Sequence, residues 1–385
     1  MLPDRLAALA RTVHAALAAD PARRTDAPAV AAAVRAEAPL LGDEEVTLVV
    51  EAVRARLHGL GPLDALLTEP GITEVMVNGP GPVWVERAGR VERTRVVLAA
   101  EEVELLVERI VGPLGLRADR SSPIADARLP DGSRVNVVVP PLAVDGPCIT
   151  VRRFGVRTVD LDEVAPPGVG PLLRWAVAAR ANILVSGGTG AGKTTLLNAL
   201  AAELPAGERI VTVEDTAELR LPLPHVVRLE ARPASADGLG AVPLRDLVRN
   251  ALRMRPDRIV VGEVRGPEVV DMLWAMNTGH EGSLSTCHAN SPADALRRLE
   301  VMALSAGLDL PLAAAREQIA AAVDLVVQVG RTPGGGRRIV AVGEVGPPQA
   351  ASRLAELAGP DGLRALPTRP PRAPHAPPPS PGWLA

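Results

Sequence analysis

Residues 187–195 read Gly-Gly-Thr-Gly-Ala-Gly-Lys-Thr-Thr, between a short apolar run, NILVS (182–186), and a helix-forming run, TLLNALAAEL (195–204). The pattern G-x-x-x-x-G-K-[ST] is met by Gly187, Gly192, Lys193 and Thr194 in the strand–loop–helix context that a phosphate-binding loop requires. Glycines let successive backbone N–H groups turn inward around phosphate oxygens, and the following helix adds the positive end of its dipole. Gly187, Gly188, Thr189, Gly190, Ala191, Gly192, Lys193, Thr194 and Thr195 are therefore the candidate cradle. In that geometry Lys193 reaches the β- and γ-phosphates, and Thr194 offers a hydroxyl to Mg²⁺. The competing reading is a glycine-rich turn with no ligand. A second count weighs against it: of 42 basic residues, 41 are arginine and one is lysine, Lys193. Arginine replaces lysine where only charge is needed, but not where a compact point charge must fit inside a closed loop.

Around this loop the chain divides by pattern. Residues 1–57 are rich in Ala, Leu and Val, interleaved with Arg and Glu, and read as two or three amphipathic helices. Residues 58–160 read as a small α+β domain. ITEVMVNGPGPVWVER (72–87) alternates around Asn78-Gly79 as a hairpin, EEVELLVERIV (101–111) has helical spacing, and a second hairpin turns at Asp131-Gly132. A Pro/Gly stretch, VAPPGVGP (164–171), reads as the linker. From 161 to 346 apolar strands alternate with helical segments: NILVS, RIVTV (209–213), RIVVG (258–262) and SLSTC (283–287), with HVVRLE (225–230) as a further strand and a closing hairpin over 324–345. Continuous apolar strands with helical crossovers imply a parallel sheet covered on both faces, an α/β domain. The segment 347–385 carries eight prolines between Pro367 and Pro381 and reads as a disordered tail.

A parallel-sheet nucleotide enzyme places its acidic groups at the C-terminal ends of neighbouring strands. RIVTVEDT delivers Glu214 and Asp215; RIVVGE delivers Glu263, behind Gly262 where many phosphate-loop enzymes carry aspartate. Such carboxylates hold water-bound Mg²⁺ or orient an attacking water. His280 and His288 flank the fourth strand, and a histidine near a γ-phosphate can report its presence. Cys287 beside His288, with no further cysteine pair, does not make a zinc site. Arg134, Arg152 and Arg153, or Arg245, Arg249 and Arg253 at a spacing of four, are candidates for arginine fingers, though any one of them is as readily a solvated surface arginine.

The net charge is −3, tyrosine is absent and there is a single phenylalanine, which disfavours a nucleic-acid coat or a base-stacking platform. No apolar run reaches the roughly 18–20 residues that cross a bilayer. The N-terminus, broken by Arg5, Arg11 and Asp20, does not read as a secretory signal, and two cysteines fit a reducing compartment.

The ordered motifs ITEVMVNGPGPVWVER, DARLPDGSRVNVVVPPLAVDGPCITVRRF, GGTGAGKTTLLNAL, VTVEDTAEL, RMRPDRIVVGEVRGPEV and NTGHEGSLSTCHANSP, spread over about residues 60–345, resemble the secretion and traffic ATPases of type II and type IV secretion systems. Within that family the sequence is most similar to the Tad/Flp pilus assembly and conjugal-transfer-associated branches. The resemblance implies a RecA-like domain and a homo-hexameric ATPase that uses ATP and Mg²⁺. It implies a cytoplasmic protein docked at an inner-membrane platform, acting on pilin or secreted cargo. It makes VTVEDTAEL an Asp box, with Glu214 and Asp215 near metal and water, and Glu263 the catalytic carboxylate. It puts His280 and His288 in a His box, and Arg152 and Arg153 near nucleotide at a subunit interface. A DNA-transfer motor and a nucleotide-gated scaffold are the rival expectations. The absence of a tetracysteine module sets the chain apart from the type II secretion motors.

Overall fold

The computed structural model describes every residue except 1–2, 19–24, 88, 130, 154–158, 233, 235–238, 333–335, 348, 351–352 and 385. The chain separates into two compact units, Met1–Gly155 and Val156–Ala385. Phe154, the last residue of the CITVRRF motif, lies outside the described residues.

The first unit opens with three helices, α1 (Asp4–Ala18), α2 (Ala27–Glu37) and α3 (Asp43–His58), which bury Leu6, Val13, Val30, Val34, Val49 and Val53 among themselves. Asp26 caps α2 by accepting from Ala29 N at 3.0 Å. After a short α4 (Leu63–Thr68) come β1 (Ile72–Asn78), β2 (Gly81–Arg87), β3 (Arg90–Leu98), α5 (Ala100–Val111), β4 (Ile124–Arg128), β5 (Arg134–Val138) and β6 (Cys148–Arg152). They form an antiparallel sheet of order β3-β2-β1-β6-β5-β4. Alternate residues Val75, Val77, Val83, Val85, Val135, Val137, Ile149 and Val151 face one side and pack with Val103, Leu106, Val107 and Ile110 of α5. Period 2 on the strands meets period 3.6 on the helix.

The second unit runs α6 (Leu161–Val164), α7 (Val169–Ala178), β7 (Ile183–Gly187), α8 (Lys193–Ala202), β8 (Ile210–Glu214), β9 (Val226–Glu230), α9 (Leu244–Ala251), β10 (Arg258–Val261), α10 (Glu268–Asn277), β11 (Leu284–His288), α11 (Pro292–Leu304), α12 (Leu312–Ala322), β12 (Leu325–Arg331), β13 (Arg337–Val345), β14 (Leu354–Gly359) and β15 (Gly362–Leu363). The sheet order is β15-β14-β13-β12-β7-β11-β10-β8-β9, parallel from β12 to β9 and antiparallel from β12 to β15. Its parallel strands are apolar on both faces. Ile183, Val185, Val327 and Val329 enter one core; Leu184, Val211, Val213 and Val326 enter the other. The chain builds outward from β7 through β8 and β9, returns inward through β10 and β11, and crosses to β12 on the other side of β7. The C-terminal ends of β7, β8, β10 and β11 thus open onto one crevice, where such sheets bind ligands.

Two expectations are corrected. The Pro/Gly stretch 164–171 is no linker: Gly168, at φ 74°, turns the chain into α7, and Pro167 O accepts from Leu363 N at 3.0 Å, all inside the second unit. The proline-rich tail, expected to be disordered, is folded onto the same unit over its described residues. Arg369 and Arg372 donate to the carbonyls of Ala320, Ala321, Ala322 and Val323 at the end of α12 and pair with Asp324, at 3.0 Å and 2.6 Å. Glu344 accepts from Thr368 N, Thr368 Oγ1 and Arg369 N at 2.7–2.9 Å. Trp175 Nε1 donates to Pro377 O at 2.7 Å, and its ring lies 6.3 Å from that of Trp383. The order comes from satisfied helix-end carbonyls and buried carboxylates rather than from an apolar pattern.

Candidate active site

Strand β7 ends in Gly187, the loop spans residues 188–192, and α8 starts on Lys193. Gly190 and Gly192 adopt φ of 66° and 100°, a left-handed backbone that glycine alone takes without strain. Lys193 is 8% exposed, and its Nζ donates to the carbonyls of Gly187 and Gly188, each at 3.2 Å. The ammonium is held inside its own loop. Thr194 and Thr195 are half-buried on the first turn of α8.

Two carboxylates at the C-terminal ends of β10 and β8 lie in contrasting surroundings. Glu263 follows β10, whose continuation is tied to β11 by Thr286 Oγ1 donating to Gly262 O at 2.8 Å and Val264 N donating to Thr286 O at 2.9 Å. Its Oε2 accepts from Arg265 Nη2 at 2.6 Å, and its Oε1 pairs with His288 Nδ1. On the far side of the ring, His288 Nε2 lies 3.3 Å from Thr189 Oγ1. With Nδ1 turned to the carboxylate, Nε2 faces the hydroxyl. A continuous line, Arg265–Glu263–His288–Thr189, joins the carboxylate to the phosphate loop. Burial works against ionising Glu263, but the Arg265 hydrogen bond and the charges of Arg265, His288 and Lys193 hold its carboxyl below the usual range.

Glu214, the last residue of β8, is 2% exposed. Its Oε2 accepts from Glu218 N and Leu219 N at 2.8 and 2.9 Å, yet burial outweighs both and pushes the carboxyl up to about 7. Its Oε1 is buried with no hydrogen-bond partner among the described residues. The glycine at 262 has a reason here: a Cβ there would stand 2.9 Å from Glu214 Cγ, so a side chain at 262 and the Glu214 carboxylate compete for one space. Two carboxylates with oppositely displaced pKa values are the arrangement expected of divided acid–base and electrostatic roles.

The raised pKa gives a stability prediction with a definite sign. A carboxyl at about 7 in the fold and 4.5 unfolded favours folding fully below pH 4.5, and that contribution is lost as pH rises through 7. The loss at pH 8 is about 3 kcal/mol. Glu214→Gln therefore raises the melting temperature of the nucleotide-free protein by roughly 6–12 °C at pH 8 and leaves it nearly unchanged at pH 4.5. Equal gains at both pH values would contradict the assignment.

Mg²⁺ fits the residues present. Among the described residues no three His, Cys, Asp or Glu side chains form a metal cluster. A cation here would draw on the Thr194 hydroxyl, phosphate oxygens and water, the sparse protein ligation Mg²⁺ prefers, with the unpartnered Glu214 Oε1 available to that water. Asp215 is exposed beside these groups.

Other expectations separate from this cluster. His280 precedes β11 whereas His288 ends it, and a strand of five residues parts them by about 16 Å. His280 Nδ1 donates to Pro256 O at 3.2 Å, at the sheet's opposite end, so it is not part of the loop cluster. Arg245 and Arg249 do share a helical face, but they pair with buried Asp271 at 2.8 and 2.7 Å and hold α9 to α10. In the first unit Arg153 Nη1 donates to the carbonyls of Glu69 and Ile72, and Arg152, half exposed, pairs loosely with Glu74 at 3.8 Å. Cys287 is buried and its thiol is pushed up to about 12, so it stays protonated. Sequence reasoning missed Arg265, whose only signal was its place two residues beyond Glu263.

The chain is similar to known proteins. Residues 56–333 match the family model described as type II/IV secretion system protein. A putative conjugal transfer protein of Mycobacterium tuberculosis is 43% identical over 315 residues, covering 79% of this chain and 89% of its own. The type IV secretion system protein PtlH of Bordetella pertussis is 37% identical over 309 residues, covering 72% and 91%. The structure of the Legionella pneumophila ATPase DotB shares the fold at a TM-score of 0.53 and 23% identity, covering 74% of this chain and 79% of its own. With a RecA-like sheet carrying an intact phosphate loop, and most of its length matched, the chain belongs to the type II/IV secretion system protein family.

Proposed function

We propose that the protein is an ATPase motor that works as a homo-hexamer at the inner, cytoplasmic face of a membrane platform and powers pilus assembly or protein secretion. The observation that carries this is the line Arg265–Glu263–His288–Thr189, which places an ionised carboxylate at the mouth of a phosphate loop. Glu263 orients the attacking water and takes its proton. Lys193 leaves the Gly187 and Gly188 carbonyls to meet the β- and γ-phosphates. Thr194, Glu214 and Asp215 hold Mg²⁺ and its waters; the ion, when bound, neutralises charge on the phosphates. His288 senses phosphate through Thr189 and passes the change to Glu263. Arg152, half exposed, is the better candidate to reach nucleotide across a subunit boundary, since Arg153 is engaged with its own backbone. No helix among the described residues is long and apolar enough to cross a membrane, in keeping with a peripheral role.

A DNA-transfer motor is the second reading, favoured by the relative named for conjugal transfer. One assay separates them: steady-state phosphate release from ATP and Mg²⁺ over a range of protein concentrations, with and without single-stranded DNA. The proposal expects hydrolysis whose rate per subunit rises steeply with concentration, and loss of most of it in Arg152→Ala with ATP binding kept. Concentration-independent activity of a monomer would remove the ring. Stimulation by DNA with steep salt dependence would favour the second reading, and absence of hydrolysis would leave only a nucleotide-gated scaffold.

A further inference from the structure

Strand β12 runs parallel beside β7 with Val329 opposite Gly187, so the chain leaving β12 passes along the flank of the phosphate loop that faces away from β11 and Glu263. Two arginines stand there. Arg331 ends β12, Arg337 begins β13, and they are direct cross-strand partners, which puts both side chains on one face of the hairpin. Each comes up against a left-handed glycine of the loop. A Cβ on Gly190 would stand 2.5 Å from Arg331 Nη2, and a Cβ on Gly192 would stand 2.8 Å from Arg337 Cδ. Both positions favour glycine by their left-handed backbone, and an arginine side chain lies against each.

Arginines of this unit divide into those paired with a carboxylate and those, Arg209, Arg228 and Arg232 among them, whose side chains bond only carbonyls or a histidine among the described residues. Arg245, Arg249, Arg258, Arg265, Arg369 and Arg372 each face a carboxylate. Arg331 and Arg337 are exposed and have no carboxylate partner among the described residues. With Lys193 they set three cations around one short loop, a mutual repulsion that a polyanion relieves. We infer that Arg331 and Arg337 grip the phosphate tail of a nucleoside di- or triphosphate bound in the same subunit, on the flank opposite the hydrolytic carboxylate. This rests on the nucleotide reading above and divides the site in two. Glu263 and His288 act at the reacting phosphate, whereas the hairpin arginines hold phosphates that the product retains. Their contribution is to affinity for ATP and ADP alike.

The test is equilibrium binding of ADP and of inorganic pyrophosphate to the full chain, with thermal melts to verify folding. Arg331→Ala/Arg337→Ala should weaken both by roughly tenfold or more, as for hydrogen bonds to charged groups. Arg331→Lys/Arg337→Lys should recover part of the loss, and Arg338→Ala, on the other face of β13, should stay within about twofold. An alanine double variant that binds ADP within about twofold of wild type overturns the inference. So does one that loses ADP but not pyrophosphate, because the contact would then be to base or ribose. If the wild type binds ADP while Lys193→Ala does not, the nucleotide reading stands whatever the arginines do. A wild type that binds neither probe sinks both.

Discussion

Lys193→Arg is expected to lower ATP turnover by roughly 10²–10³-fold, the usual cost of one well-aimed electrostatic contact at a transferred group. The substitution keeps the charge, and every other basic side chain of the protein is already arginine. If position 193 only contributed cationic character, the variant would be nearly wild type. The structure gives a reason for the opposite. The ammonium fits between the Gly187 and Gly188 carbonyls, 3.2 Å from each, with 8% of the residue exposed. A planar, rigid guanidinium needs more width and fixes the direction of its donors, so it can neither occupy that space nor follow negative charge as it shifts during phosphoryl transfer. Turnover and nucleotide affinity measured for Lys193→Arg beside Lys193→Ala decide the matter. Retention of more than about a tenth of wild-type turnover, against that expected loss, would show that compactness is not what keeps lysine at this position.

Glu263→Gln is expected to have the larger effect on the chemical step: a loss on the order of 10²–10⁴ in turnover, the span that a positioned general base supplies. Binding should survive, because no phosphate contact is removed. The amide keeps the shape of the side chain but cannot take a proton from water, and it breaks the ion pair with Arg265. It also leaves His288 Nδ1 without a carboxylate acceptor. Single-turnover phosphate release, run beside equilibrium ATP binding, separates the two properties. Hydrolysis near the wild-type rate would exclude Glu263 as the base and turn attention to Glu214.

The contrast between what local pattern encodes and what it leaves out is visible residue by residue. β7, the loop and α8 were legible because glycine spacing and apolar runs are local signals, and the places of Glu214 and Glu263 at the C-terminal ends of parallel strands followed from the same apolar runs. His280 and His288 looked alike in sequence because eight positions apart is close along the chain; a strand between them places them at opposite ends of a sheet. The spacing of Arg245 and Arg249 correctly indicated a shared helical face, but their partner Asp271 belongs to a different helix. The tail was misjudged for a related reason. Its order depends on Arg369 and Arg372 meeting carbonyls at the end of α12 and the carboxylate of Asp324, a tertiary match that no proline count reveals.

That strap also bears on how the protein is made. Asp324 and Glu344 are buried, at 6% and 4% exposure; Asn182 N donates to Asp324, and the other groups that satisfy the two carboxylates sit at Thr368, Arg369 and Arg372. During synthesis the sheet strands and both carboxylates leave the ribosome before those partners do. A nascent chain that closed its core early would have to bury Glu344 without its tail donors and Asp324 without its arginines, at a cost of several kcal/mol. The last stage of folding therefore waits for translation to pass residue 372. Until then the end of α12 and the end of β13 stay open to water and to chaperones, and a messenger truncated in this stretch yields a protein with its phosphate loop complete and its domain unfinished.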